Sequence, residues 1–244
     1  VQKKDCLDLP EKIYQFRDVE MGPKQQAAYD SMCNDAFVQL TTLGTQVTAS
    51  VVLTQLLRLH QIACGFLAPD NMEEVPFGEP NNRVAELINV LEEAEGKAIV
   101  WCNYRYNIGQ VKVAIAERFG ADSLVTYFGD TKQDDRIDAV KQFQDPTSKI
   151  RFFVANPQTG KFSLTLTEAS TVVYFSNSYN LEDRMQSEDR AHRIGQKKSV
   201  TYVDLRCRNT VDEKIIRVLR NKKRLTAEVV VSNWEWLFRP KAAA

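Results

Sequence analysis

The residues best suited to chemistry lie in the run QSEDRAHRIGQ at positions 186–196. If this run is helical, Gln186, Arg190 and Arg193 fall at i, i+4 and i+7 and share one face. Guanidinium groups match phosphate oxygens in charge and geometry, so two of them on one face favour a phosphate-bearing polyanion. The spacing is equally consistent with a solvated charged face, on which Glu188 and its acidic neighbour pair with the arginines.

The helix that would carry these arginines has local signals at both ends. Asn180 can cap its start, and the acidic residues Glu182 and Asp183 suit its positive end. Gly195 suits its stop, because glycine is common just after the last helical residue. These signals predict a helix that spans the whole run.

The middle of the chain alternates between strand and helix patterns. Runs that are apolar on both faces predict strands at 98–102, 124–128, 150–155, 171–175 and 200–205. A helix is predicted before them at 83–95, and two more lie between them at 108–119 and 133–143. This alternation is typical of an α/β fold whose parallel sheet is covered by helices on both faces. Ligands of such sheets bind beyond the carboxyl ends of the strands. The arginine helix follows one strand directly, so we expect it close to that edge.

The two ends of the chain read differently from its middle. Helical patterns near 23–32 and 49–62 predict a peripheral helical segment, and a Pro- and Gly-rich stretch at 69–82 predicts a loop. The tail predicts one long helix over 211–231, followed by an apolar aromatic cluster. We therefore divide the chain into an N-terminal helical segment and loop at 1–80, an α/β lobe at 81–206, and a C-terminal helix with an aromatic tail at 207–244.

Composition excludes several classes of protein. The 244 residues carry a formal net charge of zero, which argues against a dedicated, strongly basic DNA-binding domain. A basic run from Arg206 to Arg224 could still follow a nucleic-acid backbone, and a solvated helix surface explains it equally well. No apolar run approaches ~18 residues and no secretory signal is visible, so we expect no membrane association.

The positions of the cysteines and histidines do not predict a metal site. The five cysteines are odd in number and scattered, which is typical of reduced thiols in a cytoplasmic or nuclear protein. His60 and Cys64 could supply half a zinc site, but no second pair with ligand spacing accompanies them. A packed helix explains them better, and we assign no metal ligands. Trp101 lies within a predicted strand and is expected in the core.

The run at 186–196 resembles the sixth motif of the Swi/Snf-type branch of superfamily 2 helicases, QAxxRxxRxGQ. Only Ser187 differs among the positions that this pattern fixes. In that family the two arginines reach the triphosphate of an ATP held by a partner lobe. The resemblance implies that Arg193 is the arginine finger, that Arg190 contacts the phosphates beside it, and that Gln186 orients the site.

Further segments resemble motifs of the same family in the same order: DLPEK at 8–12, LLRLHQIAC at 56–64, KAIVWCNY at 97–104 and FGDT at 128–131. The resemblance covers most of the chain and implies the second RecA-like lobe of a Swi/Snf-type DNA-dependent ATPase. The short connections are similar to those of compact bacterial and phage members. The resemblance also implies double-stranded DNA as a partner. The residues that it implies for DNA contact are Asn103, Tyr104, Arg105, Gly129, Thr131, Lys132, Lys161 and Thr165.

The fifth motif departs from the family pattern. Relatives carry a glycine-rich GGxGLxL turn, and here Gly160 remains, with Lys161 and Ser163 at the other glycine positions. The resemblance still implies that Gly160 supports the ATP site. Side chains at glycine positions force a different turn where φ is positive. The change therefore either weakens the coupling of DNA contact to ATP hydrolysis or adds a phosphate contact from Lys161; we favour a tolerated divergence.

The chain has the arginine-bearing half of an ATP site without the nucleotide-cradling half. Gly160-Lys161 is no Walker loop, because Ala155 and Phe162 stand where that loop needs glycine and Ser or Thr. No DExH-type acidic strand is present either. The resemblance then implies a longer protein whose N-terminal RecA-like lobe holds ATP and Mg²⁺, and we expect the 244-residue chain alone to be inactive.

Two other functions stay open from the sequence. The altered fifth motif is compatible with a degenerate interaction module that binds nucleic acid or protein without hydrolysing ATP. An independent nucleotide-binding α/β domain is disfavoured, since no glycine-rich turn follows the first predicted strand.

Overall fold

The computed structural model describes residues 9–68, 73–77, 81–129, 131, 133–161, 164–221 and 231–238, with the backbone alone at Thr45, Gly160 and Lys161. Its strands are β1 (Lys12–Val19), β2 (Phe66–Leu67), β3 (Val75–Pro76), β4 (Lys97–Trp101), β5 (Leu124–Tyr127), β6 (Phe152–Ala155), β7 (Ala169–Tyr174) and β8 (Val200–Cys207). Its helices are α1 (Pro23–Leu43), α2 (Ala49–Ala63), α3 (Asn82–Glu93), α4 (Arg105–Phe119), α5 (Gln133–Gln144), α6 (Leu181–Ala191), α7 (Val211–Arg220) and α8 (Trp234–Phe238).

Six of these strands form one sheet, in the order β1-β8-β7-β4-β6-β5. Strand β4 pairs in parallel with both β6 and β7, β5 pairs in parallel with β6, and β7 pairs in parallel with β8. The predicted α/β fold with a parallel sheet is confirmed. Among the described helices, none combines the length and the apolar character that a membrane crossing requires.

Strand β6 shows why the central strands carry apolar residues on both faces. Consecutive side chains of a strand point to opposite faces, and both faces of this sheet are covered. Phe152 packs on Phe119 of α4, with ring centroids 4.8 Å apart. Phe153 packs on Phe143 of α5, with centroids 5.3 Å apart. Trp101 is 0% exposed, as expected for a core residue.

The strand β1 was not expected, because the first eighty residues were predicted to be helical. It occupies one edge of the sheet, and most of its residues are at least partly exposed. An edge strand needs no continuous apolar run, so polar residues interrupt the pattern by which buried strands are recognised. The prediction is wrong for Lys12–Val19, while helices α1 and α2 confirm it further along.

Contacts divide the described chain into two compact units. The first runs to Arg17 and includes Val84–Ser178 and Glu182–Leu205, and so holds most of the sheet with α3 to α6. The second includes Asp18–Arg83, Tyr179–Leu181 and the chain from Arg206 onward. The division into three domains at 80/81 and 206/207 stays a prediction.

The second unit is mainly helical. The side chain of Gln25 on α1 donates to the carbonyl of Ile62 on α2 at 2.7 Å. Phe37 of α1 packs on Trp234 of α8, with ring centroids 5.5 Å apart. Helix α7 ends at Arg220 and is followed by a turn, so the predicted single helix over 211–231 is wrong at this point; residues 222–230 lie outside the described residues.

Part of the basic run of the tail is engaged within its own unit where it is described. Arg206 Nε and Arg208 Nε donate to the carboxylate of Asp18 at 2.6 and 2.7 Å. Lys214 Nζ donates to the carbonyl of Leu237 at 2.9 Å. Charges that are paired within the unit are less able to bind phosphates, which favours the reading of this run as a helix surface. Its last part, residues 222–224, lies outside the described residues.

A buried charge cluster lies at the centre of the second unit. The carboxylate of Asp212 accepts from the Arg83 guanidinium and from the backbone N–H of Cys207. His60 Nε2 lies 3.5 Å from Asp212 Oδ1, and both side chains are 0% exposed. Burial opposes the charged imidazolium, but Cys64 and Asp212 outweigh it and raise the pKa of His60 to about 9.

The raised pKa of His60 predicts a loss of stability in alkaline solution. A group whose pKa rises on folding stabilises the fold fully below its unfolded pKa and stops doing so above its folded pKa. His60 should therefore contribute roughly 3 kcal/mol below pH 6.5, all of which is lost by about pH 9. Urea unfolding of the 244-residue chain at pH 6, 7.5 and 9 measures this loss. His60→Gln should flatten the decline relative to the unaltered chain, and parallel declines would exclude His60 as its origin.

Candidate phosphate site at the end of the arginine helix

Helix α6 buries one side and exposes the other. Leu181, Arg184 and Ser187 lie on the buried side, whereas Gln186 is exposed. Near its start, the Asp183 carboxylate accepts from Ser178 Oγ at 3.1 Å. The predicted helix is therefore confirmed, with its acidic first turn.

The helix ends earlier than expected, however. The last α-helical residue is Ala191, and Gly195 adopts a φ of 102° in the turn that follows. Arg193 is exposed in that turn. The expectation that Gln186, Arg190 and Arg193 share one helical face is wrong for Arg193, because the backbone has already left the helix.

The turn nevertheless brings the two arginines together. The backbone carbonyl of Arg190 accepts from Leu166 N–H at 2.9 Å, and Arg193 Nη1 lies 3.5 Å from the carbonyl oxygen of Leu164. Burial and the positive charge of Arg193 both lower the pKa of Arg190. The like charge of Arg193 thus acts on the guanidinium group of Arg190, which is consistent with neighbouring side chains.

The arginine end of α6 lies away from the carboxyl edge of the sheet, near which we expected this helix. Gln196 Nε2 donates to the carbonyls of Thr167, Ala169 and Ala191 at 2.9, 3.0 and 3.1 Å. Ala169 is the first residue of β7, so the arginine end of α6 lies at the amino end of that strand. Only the start of α6 lies at the carboxyl edge, because eleven helical residues rise about 16 Å.

Loops at the carboxyl edge bring together a second group of predicted residues. Asn156 follows β6, and its side-chain amide donates to the carbonyl of Asn103 at 2.8 Å while its backbone N–H donates to Tyr127. Gly129 lies beside Arg105: a Cβ added at Gly129 would be 3.4 Å from Arg105 Nη2. The strands β4, β5 and β6 thus end in loops that contact one another.

Two side chains, those of Thr131 and Arg136, hydrogen-bond to the backbone of the loop after β5. Thr131 Oγ1 accepts from the backbone N–H of Phe128 at 3.2 Å. Arg136 of α5 donates to the carbonyls of Phe128 and Gly129 at 3.1 and 2.9 Å. Tyr104 precedes the first residue of α4. Backbone amides at such a helix start, with Arg105 beside them, suit phosphate groups.

The other residues predicted to bind DNA or to support the ATP site lie elsewhere in the fold or are not fully described. Thr165 lies between Leu164 and Leu166, and so beside the arginines rather than with Asn103 and Arg105. Gly160 and Lys161 belong to a 3₁₀ turn at Pro157–Lys161 that follows β6, and the Lys161 side chain is not described. Lys132 and Ser163 lie outside the described residues.

Reasoning from the sequence missed the residues that hold α6 in place. Arg184 is buried over the ring of Tyr174, 3.5 Å from its centroid, and donates to Asp204 and Asn177. The hydroxyl groups of Tyr174 and Ser187 lie 2.8 Å apart. Ser187, the one residue that departs from the sixth motif, therefore has a buried hydrogen-bonding partner. The i, i+4 spacing of Arg184 and Glu188 was the available signal, whereas Asp204 lies on another element.

Residues 80–195 match the helicase conserved C-terminal domain. These residues belong to that family. The match includes strands β4 to β7, the carboxyl-edge loops, Arg190 at the end of α6 and Arg193 in the turn that follows. The chain is homologous to Swi/Snf-type ATPases.

Curated relatives of this helicase C-terminal domain are much longer. A putative ATP-dependent helicase/translocase of Bacillus subtilis, YwqA, is 24% identical over 235 residues, covering 94% of this chain and 25% of its own length. The ISWI chromatin-remodeling complex ATPase ISW1 of Saccharomyces cerevisiae is 38% identical over 105 residues, covering 43% of this chain and 9% of its own length. The chain therefore spans a quarter or less of these relatives.

Solved structures share the fold of this helicase C-terminal domain. The C-terminal part of the Fun30 ATPase domain aligns with a TM-score of 0.74 and 16% identity, covering 94% of this chain and 97% of that one. The Sulfolobus solfataricus SWI2/SNF2 ATPase core in complex with double-stranded DNA aligns with a TM-score of 0.70 and 24% identity, covering 96% of this chain and 49% of that one. The predicted RecA-like lobe is confirmed.

Proposed function

We propose that this chain is the second RecA-like lobe of an ATP-dependent DNA translocase, a longer protein whose N-terminal RecA-like lobe holds ATP and Mg²⁺. The observation that carries the proposal is the position of Arg190 in the last turn of α6 and of the exposed Arg193 in the turn that follows. Homology to proteins named as helicases, translocases and remodeling ATPases supports it.

The arginine site fits a triphosphate better than it fits a cation. Burial and, after it, the positive charge of Arg193 lower the pKa of Arg190, so a bound anion would relieve the repulsion between the two guanidinium groups. The same two charges repel a metal ion, and we therefore place the Mg²⁺ ligands in the other lobe. The exposed Gln186 lies one turn before Arg190 on α6 and would orient the site.

The chemical role of the arginines is electrostatic. ATP supplies a phosphoryl group that is transferred to water, and negative charge develops on that group during transfer. Arg193, carried by a turn and exposed, donates to the oxygens where charge develops, and Arg190 neutralises the phosphates beside it. Donors that are already in position stabilise the transition state without reorganisation.

We further propose that double-stranded DNA contacts the carboxyl-edge loops. Asn103, Arg105, Gly129 and Thr131 lie in these loops, which Asn156 and Arg136 hold in place. Backbone amides, a guanidinium group and a hydroxyl suit phosphate oxygens of any sequence. We place the protein in the cytoplasm or the nucleus, since its described cysteines are free thiols.

ATP hydrolysis by the full-length protein, with and without double-stranded DNA, tests the proposed function. We expect hydrolysis that DNA stimulates, because DNA bound across both lobes favours the closed state in which the arginines reach ATP. The 244-residue chain alone should show no hydrolysis under the same conditions. Turnover by the chain alone would contradict the division of the site between two lobes. No hydrolysis by the full-length protein would favour the interaction module instead.

A further inference from the structure

Glu188 lies on α6 between Gln186 and Arg190 and makes several polar contacts. Its carboxylate accepts from Arg184 Nε at 2.8 Å and from Lys12 Nζ at 3.0 Å. Its side chain is only 12% exposed. Burial opposes ionisation, but Arg184 and Lys12 outweigh it and lower the pKa of Glu188 below its ordinary value. The carboxylate is therefore charged at neutral pH.

Strand β1 supplies two of the residues that contact Glu188. Lys12 donates to Glu188 and also lies 4.0 Å from Asp189 Oδ1. Tyr14 Oη donates to Glu188 Oε2 at 2.8 Å, and its ring stacks on Tyr202 with centroids 5.3 Å apart. One strand thus holds two consecutive acidic residues of the arginine helix.

Two further hydrogen bonds reinforce the attachment. Tyr202 Oη donates to the backbone carbonyl of Glu188 at 2.9 Å. His192, between the two arginines, has its Nε2 2.6 Å from the carbonyl oxygen of Pro10, just before β1. The attachment to residues 10–14 therefore extends from Glu188 past Arg190 to His192.

These contacts fix the last turn of α6, which carries Arg190, and the turn after it, which carries Arg193. Glu188 precedes Arg190 by two residues, a rise of about 3 Å within one helical turn, so the two backbones move together. Arg193 follows His192 directly. A shift of about 1 Å in a charged group at a reacting centre can lower a rate about 100-fold. Contacts that hold Glu188 and His192 would therefore control catalysis without touching the nucleotide.

We propose that Glu188 is a positioning residue that locks the arginine helix to strand β1 through Lys12 and Tyr14, so that Arg190 and Arg193 meet the triphosphate in one orientation. This proposal rests on the proposed function. In this arrangement β1 holds the segment that carries the arginines. Loss of the contacts between β1 and Glu188 would slow ATP hydrolysis without weakening ATP binding.

Steady-state ATP hydrolysis by the full-length protein with saturating DNA tests the proposal. Glu188→Gln keeps the shape but removes the charge, and should lower kcat roughly 10- to 100-fold with KM for ATP changed less than about 2-fold. Tyr14→Phe removes one hydroxyl and leaves the ring on Tyr202, so it should fold normally and lower kcat about 5-fold. Glu92→Gln is the matched control, because Glu92 pairs with Arg118 on an exposed surface, and it should leave kcat unchanged.

A second background separates positioning from a general structural role. In the full-length protein carrying Arg190→Ala and Arg193→Ala, adding Glu188→Gln should lower the residual rate less than about 2-fold, since there is no arginine left to position. An undiminished effect in that background, or an unchanged kcat in both Glu188→Gln and Tyr14→Phe, would overturn the proposal alone. Full activity of the arginine double variant would overturn the proposed function as well.

Discussion

Arg193→Ala in the full-length protein is expected to lower the rate of DNA-stimulated ATP hydrolysis roughly 10³- to 10⁵-fold. The guanidinium group is exposed in the turn after α6, and its described contact with the protein is the Leu164 carbonyl at 3.5 Å. Its charge is therefore available to a ligand. Alanine would remove the stabilisation of the charge that develops on the transferred phosphoryl group.

Two matched variants make this measurement specific. Arg193→Lys keeps the positive charge but loses the planar fork, so it should restore only a small part of the rate. Arg118→Ala removes an exposed arginine that pairs with Glu92 on the same unit, and should leave the rate within about 2-fold. Thermal unfolding should be similar in all three, because exposed substitutions usually change stability by less than about 0.5 kcal/mol. A rate that survives in Arg193→Ala with an intact fold would exclude Arg193 as the arginine finger.

Asp212→Asn is expected to lower the free energy of unfolding by roughly 3–5 kcal/mol. Burial opposes ionisation of Asp212, but the Arg83 guanidinium outweighs it and holds the pKa of Asp212 at about 2. The Arg83 side chain is 1% exposed, so the substitution leaves a positive charge inside the unit without its carboxylate. His60 loses the same partner. Urea unfolding at pH 7 measures the loss.

The control for this loss is an exposed ion pair in the same unit. Asp18→Asn removes a carboxylate that pairs with Arg206 and Arg208, and should cost less than about 1 kcal/mol because solvent screens that pair. In the double variant Arg83→Met with Asp212→Asn, the total loss should be smaller than the sum of the two single losses. Equal losses for Asp212→Asn and Asp18→Asn, or strict additivity in the double variant, would contradict the buried pairing.

The strands at the centre of the sheet were predictable because their signal is local. Phe152 and Phe153 face opposite sides of the sheet, and both are buried, so the run that contains them is apolar throughout. The same holds for Ile99 and Val172 in the neighbouring strands. Strand β1 carries no such run, because an edge strand is partly solvated, and it was read as part of a helical segment.

The candidate site was predictable in its residues and less so in its geometry. Arginines at 190 and 193 with Gln196 are visible as a pattern, whatever the backbone does between them. The end of the helix was not predictable, because Gln196 fixes it by donating to the carbonyls of Thr167 and of Ala169, the first residue of β7. Those partners lie about thirty residues upstream, outside any local window.

The sequence by itself determined which groups are charged, which runs are apolar, and that a motif of the Swi/Snf-type ATPases is present. Only the tertiary structure decided which charges meet. Arg83 and Asp212 are 129 residues apart, and Lys12 and Glu188 are 176 apart, yet each pair is in contact. The reason is energetic: a charge leaves water only where the fold supplies its partner, and that partner is chosen by chain topology rather than by spacing.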